Sequence, residues 1–268
     1  MNLIVQTPYI RNEKKWYFLS VFYARENWAD LITQIMQYYR KRTGQFDTYL
    51  FSFSGERGEH LQIAFVSPND SNNYINEIQA EFQMFVELYP SINSTPFPYG
   101  KAIWGNYPNN SLVWNKFRLP LYSDQYIRFH QQTMRVALEL MEDDFSEDTI
   151  FSVGMYLFTK GLACINNPEQ KNVLFQILEE ASTDNSNDTD TIKKLINEID
   201  INEAQETMES YRNENASEYS TELINWLDEV EILLKHVNYK ILCFFICEIL
   251  GLTGSCQILI LELLYKFL

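Results

Sequence analysis

The stretch FDTYLFSFSGERGEHLQIAFVSP, residues 46–68, decides the fold. Its halves YLFSF and HLQIAF alternate apolar and polar positions around a turn that holds Gly55, Glu56, Arg57, Gly58 and Glu59, which predicts a β-hairpin. Gln62 and Ala64 occupy outward positions of the second strand. What those two side chains can and cannot do becomes the central question.

Upstream, WYFLSVFYA (residues 16–24) reads as a strand, followed by ENWADLITQIMQYYRKR. There Trp28, Leu31, Ile32, Ile35, Met36 and Tyr39 recur at helical spacing. Downstream, SPNDSNNYINEIQAEFQMFVELYPS places Asn and Ser before a periodic run of Tyr74, Ile78, Phe82, Phe85 and Val86, a second amphipathic helix. The order strand, helix, strand, strand, helix predicts an α+β layer: a mixed or antiparallel N-terminal sheet with two helices.

INSTPFPYGKAIWGNYPNNSLVWNKFRLPLYSDQ, residues 92–125, is rich in Pro, Gly, Asn and aromatics and reads as loop and short strands, where function tends to sit. From Tyr126 onward the pattern is mainly helical: YIRFHQQTMRVALELMED, SEDTIFSVGMYLFTKGLACI and NPEQKNVLFQILEEA. ASTDNSNDTD, residues 181–190, is a polar connector, and the Glu- and Asn-rich chain as far as Ser220 reads as a solvated helix or insertion rather than core. STELINWLDEVEILLKHVNYKILCFFICEILG then resumes an apolar helical pattern. The expected organisation is one domain, with an α/β portion over 1–125, a mainly helical portion over 126–268 and the polar insertion near 181–220.

Composition narrows the function classes. The chain has 268 residues, 46% of them hydrophobic, enough to fill a sizeable core. Its 36 acidic against 21 basic residues give a charge of -15, which repels a phosphate backbone and argues against nucleic acid. The N-terminal residues lack a signal-peptide pattern, so a cytoplasmic location is expected. The apolar C-terminal stretch is interrupted by Glu248, Gln257 and Glu262 and broken at Gly251 and Gly254, which predicts two buried helices rather than a membrane span. Cys243 and Cys247 stand one helical turn apart, but no histidine pair or second cysteine pair completes a metal site, and packing is the expected role.

Three places resemble one family in order. The strand WYFLSVFYA, the helix after it and the hairpin FDTYLFSFSGERGEHLQIAF resemble the thiopeptide-type bacteriocin biosynthesis domain, also known as the C-terminal elimination domain of class I lantibiotic dehydratases. His60 and Leu61 match its His-Leu pair, while the two arginines that follow in that family fall on Gln62 and Ala64. YSDQYIRF, residues 122–129, keeps a tyrosine as Tyr122, an arginine as Arg128 and an aromatic as Phe129. It has Gln125 where the family has glutamate, and His130 and Gln131 where it has glycines. CFFICEILG, residues 243–251, keeps the spacing of a C-terminal helix motif and Gly251, with Cys243, Cys247 and Glu248 where the family has histidine, asparagine and arginine.

The resemblance implies an elimination-domain-like α+β fold that has lost the elimination, because Gln62, Ala64 and Cys243 cannot clamp a glutamate or take an α-proton as guanidinium and imidazole do. Within the family this pattern belongs to thiopeptide pyridine synthases. These join two dehydroalanines of a leader-bearing, azole-containing precursor peptide in a formal aza Diels-Alder cycloaddition, with loss of water and leader. On that reading the partner is the modified precursor peptide, together with other enzymes of the pathway, and no metal or organic cofactor is implied. Tyr122, Arg128 and His60 are the catalytic candidates; Gln62, Tyr99, Trp104 and Tyr107 are the candidates for substrate binding. Two alternatives stay open: an elimination subunit with its base moved to His130 or His236, and a noncatalytic leader-binding scaffold.

Overall fold

The computed structural model describes residues 9–41, 49–66, 72–92, 105–184 and 201–268. Within it the chain forms two compact units: Met1–Tyr122 with Asp143–Ser146, and Ser123–Glu142 with Glu147–Leu268. The first carries the sheet and the second is helical.

The first unit is built on five strands: β1 (Tyr9–Arg11), β2 (Lys14–Phe22), β3 (Tyr49–Ser54), β4 (His60–Val66) and β5 (Ser111–Trp114). Every pairing among the described residues is antiparallel, one of the two arrangements expected. β2 and β4 lie at its centre, β3 pairs with β4, and β1 and β5 share the far edge of β2. Pairing of β3 with β4 runs from Tyr49↔Phe65 to Ser54↔His60, the hairpin expected from the sequence. Its turn is set by left-handed backbone at Arg57 (φ 58°) and at Gly58 (φ 119°). Glycine suits the second position twice over, because a Cβ there would lie 3.3 Å from the Phe22 ring.

From Trp16 to Phe22, β2 is buried at every residue, as a run apolar but for Ser20 suits when both faces of a strand are covered. Side chains alternate between the faces. One face presents Leu19, Val21, Leu61, Ile63, Phe51 and Phe53, and receives α1 (Trp28–Lys41) and α2 (Asn72–Leu88). Trp28 stacks on Phe53 at 5.1 Å, and Trp114 of β5 donates its indole N–H to Gln79 of α2. Phe53 is 2% exposed, and its burial contributes about 1.5–3 kcal/mol.

The helical unit comprises α3 (Asp124–Met141), α4 (Glu147–Ala163), α5 (Asn167–Asp184), α6 (Ile201–Asn213), α7 (Thr221–Leu234), α8 (Tyr239–Leu250) and α9 (Gly254–Phe267). Short polar side chains start four of them: Ser123, Ser220, Asn238 and Thr253 each accept a backbone N–H three residues on. Gly251, in left-handed backbone, closes α8 and separates it from α9, the two buried helices expected there. The Trp226 indole of α7 donates to Thr133 of α3 at 2.9 Å, and the Tyr239 hydroxyl of α8 donates to the Phe158 carbonyl of α4 at 2.7 Å. Cys243 and Cys247 are buried on α8, and burial pushes both thiols up.

The chain read as a solvated helix or insertion rather than core contains α6, a mostly exposed helix that nonetheless buries Ala204 and Met208 and sets Tyr211 edge-on to Tyr156 at 4.9 Å. A stripe only one residue wide per turn is hard to see among glutamates, yet it fastens the helix. A second tie is the buried ammonium of Lys160, which lies 2.8 Å from Glu214 and donates to the Tyr219 hydroxyl at 2.9 Å. Among the described residues no helix is long and apolar enough to cross a membrane.

Candidate functional site

The sheet face opposite α1 and α2 carries the outward positions of β4. In register across the strands, Ser20 of β2, Gln62 of β4 and Ser52 of β3 form a polar row, flanked by Phe18, Ala64 and Leu50 on one side and by Phe22, His60 and Ser54 on the other. The Ser20 hydroxyl is buried and has no hydrogen-bond partner among the described residues. A buried polar group left unsatisfied costs about 1–3 kcal/mol.

His60 is wholly buried beside that row. Its Nδ1 lies 2.8 Å from the Gly58 carbonyl, which places the proton on Nδ1 and leaves Nε2 as an acceptor for the Gln62 side-chain N–H at 3.2 Å. Phe22 stacks on the imidazole at 4.4 Å and Phe117 tilts against it at 5.0 Å. Burial pushes the pKa down to about 4, against a smaller upward effect from the Gly58 carbonyl. His60 is therefore a neutral ring at physiological pH that fixes which way Gln62 points. The remaining Gln62 N–H and its carbonyl have no partner among the described residues.

Tyr107 joins the same cluster, its ring 4.9 Å from Phe22 and 5.6 Å from Phe117. Its backbone N–H donates to the Arg57 carbonyl at 2.9 Å, and Arg57 Nε donates to the Gly105 carbonyl at 3.1 Å, so the hairpin turn and the 105–107 loop lock together. Lys116 donates to the Tyr107 hydroxyl at 3.1 Å. That bond leads the influences holding the phenol below its usual pKa, with Arg57 adding to it.

The structure thus brings His60, Gln62 and Tyr107 together. Tyr122 lies in the same unit and is half exposed. Arg128 lies on α3 of the helical unit, where it binds Gln125 and approaches Glu229 at 3.6 Å, while Gln125 donates to Glu229 at 2.5 Å. Among the described residues its carboxylate partner is Glu229. Tyr99 and Trp104 lie outside the described residues. His130 is buried against Tyr126 and His236 is exposed, both in the helical unit. No cluster of three metal-ligating side chains forms among the described residues.

Sequence reasoning missed Ser20, Ser52, Arg57 and Lys116. The serines gain meaning only from strand register, and the two cations only from the meeting of separate loops.

This architecture matches the pyridine synthase TbtD from thiomuracin biosynthesis, with a TM-score of 0.66 over 94% of this chain and 96% of that one, at 14% identity. The chain therefore shares its fold with that pyridine synthase. A second structure, TsrL, matches over 95% of both chains with a TM-score of 0.50 at 9% identity. No protein-family model and no curated protein matches the sequence. At such identities the likeness is one of fold.

Proposed function

We propose that the protein forms the central pyridine of a thiopeptide from two dehydroalanines of a leader-bearing, azole-containing peptide. One dehydroalanine and the iminol form of its neighbouring amide supply the azadiene, the second supplies the alkene, and two ring bonds form. Loss of water and then of the leader, as its carboxamide, leaves the aromatic ring and the closed macrocycle.

The observation that carries this reading is a neutral polar floor where the elimination domains carry arginines. At those positions the sheet offers half-buried Gln62, oriented by neutral His60, and buried Ala64, beside the unsatisfied Ser20 hydroxyl. Such a surface cannot hold a departing glutamate, but it can hydrogen-bond an amide and favour its iminol form. The largest contribution is orientation: holding two alkenes of one flexible peptide in contact is worth up to about 7–11 kcal/mol. The fold shared with TbtD supports the same reading. Tyr122 and Arg128 remain the further polar candidates for assisting water loss.

The test is incubation of the purified chain with a leader-bearing azole peptide containing two dehydroalanines, followed by mass spectrometry. A macrocycle together with a leader carboxamide supports the proposal. Recovery of unchanged peptide after demonstrated binding overturns it, as does conversion of a glutamylated peptide to its dehydroalanine form.

A further inference from the structure

In the helical unit, one face of α5 borders a cleft of about 400 Å³, within the size range of ligand sites. Glu169, Val173, Gln176, Ile177 and Glu180 recur at helical spacing along that face, and the turns joining α4 to α5 and α7 to α8 form the other walls. Buried Ile177 and half-buried Val173, Leu234 and Val237 make an apolar floor. Cys164 also lines the cleft. Burial, helped by the Glu231 carboxylate, pushes its thiol up to about 11, so at neutral pH it is a packing group and not a nucleophile.

Polar groups with unused bonds stand around this floor. The side chains of Asn166 and Gln176 make no hydrogen bond among the described residues, and Asn238 accepts the Ile241 N–H through Oδ1 while its own amide N–H groups stay uncommitted. Glu180 and Lys240 close one end as an ion pair at 2.7 Å. At the other end Glu169 is exposed and has no cationic partner among the described residues. Glu169 and Glu180 stand 11 residues apart on α5. That is about 16 Å of helix, the reach of about five residues of extended chain.

We propose that this cleft binds a short extended segment of a partner protein in which Leu, Ile or Val stands beside Lys or Arg. The apolar side chain takes the floor of Val173, Ile177, Leu234 and Val237. The carboxamides of Asn166, Gln176 and Asn238 meet the backbone N–H and C=O groups of the segment, and Glu169 meets its cation. Charge sets the sign of the partner: Glu180 and Lys240 cancel, Glu169 leaves the rim negative, and Glu231 acts in the same sense at Cys164. The site lies within the helical unit and does not depend on the proposed cyclisation.

The experiment uses three fluorescein-labelled hexapeptides, with anisotropy measured on the full chain: Gly-Leu-Lys-Leu-Lys-Gly, its Gln-for-Lys counterpart and its Ser-for-Leu counterpart. The Leu-Lys peptide should bind about fivefold or more tighter than either control, and its advantage over the Gln peptide should fall as salt rises. The Ser peptide carries the same charge, so it measures general attraction to an acidic chain. Glu169→Gln should bring the ratio to the Gln peptide toward one, and Gln176→Arg, which sets a cation in the cleft, should bring the Leu-Lys peptide down to both controls. Glu56→Gln in the sheet unit should change neither ratio. Glu169 and Gln176 are exposed, so both variants test the site without threatening the fold. No binding, a Leu-Lys peptide no tighter than either control, or a preference that survives both variants overturns the site. Sedimentation showing a dimer that Gln176→Arg splits gives the cleft to a second copy of the chain and overturns it as well.

Discussion

The side chain of Gln62 donates to Nε2 of His60 across 3.2 Å, two positions apart on one face of β4. The histidine is thereby a positioning residue: its proton is committed to Gly58, and its lone pair orients the half-buried amide of Gln62.

His60→Phe keeps the stacked ring and removes the acceptor. Turnover of a bis-dehydroalanine peptide should fall about tenfold or more, with KM nearly unchanged, because a misdirected amide loses orientation rather than binding. Gln62→Ala should produce a similar loss, and the double variant little more. Additive losses in the double variant would show that the two residues act separately.

The same histidine makes stability depend on pH. Its pKa is about 4 when folded against 6.5 when free, so between those values the unfolded chain binds more protons. The contribution is present in full above pH 6.5 and is lost as pH falls toward 4, amounting to about 3 kcal/mol. Urea unfolding at pH 7 and pH 5 should show the loss, and His60→Phe should remove this part of the slope. An unchanged slope in the variant would place the titration elsewhere.

In the helical unit, Lys160 is 3% exposed and relies on Glu214 and Tyr219. Glu214→Ala strands that ammonium and should cost about 3 kcal/mol, measured by urea unfolding. Lys160→Met removes the charge along with its need for a partner and should cost less. If Lys160→Met were the costlier change, packing of the lysine stem and not the ion pair would hold α6 to α4.

Legibility followed the range of the interactions. The hairpin, the strand before it and the first two helices were readable because alternation and helical period are local properties of FDTYLFSFSGERGEHLQIAF and its neighbours. SLVW, residues 111–114, could be read only as loop or short strand, because four half-buried residues carry too little pattern and β5 exists by pairing with β2, far upstream. Ser20 was invisible for a related reason: a serine inside WYFLSVFYA becomes a site residue only once Gln62 is known to stand opposite it. Arg57 was in view within the quoted turn, but nothing local says that Tyr107 will lie beneath it.

Arg128 gives the sharpest separation of structural from functional roles. Its side chain is 55% exposed and its pairing with Glu229 is loose, so as a structural ion pair it contributes under about 1 kcal/mol. Arg128→Gln should therefore leave the melting temperature nearly unchanged. If the guanidinium serves the reaction, turnover of the bis-dehydroalanine peptide should drop about tenfold or more, and Arg128→Lys should recover little, because an ammonium lacks the planar fork. Unaltered turnover in Arg128→Gln would confine this arginine to its bonds with Gln125 and Glu229 and leave the Gln62 face as the working surface.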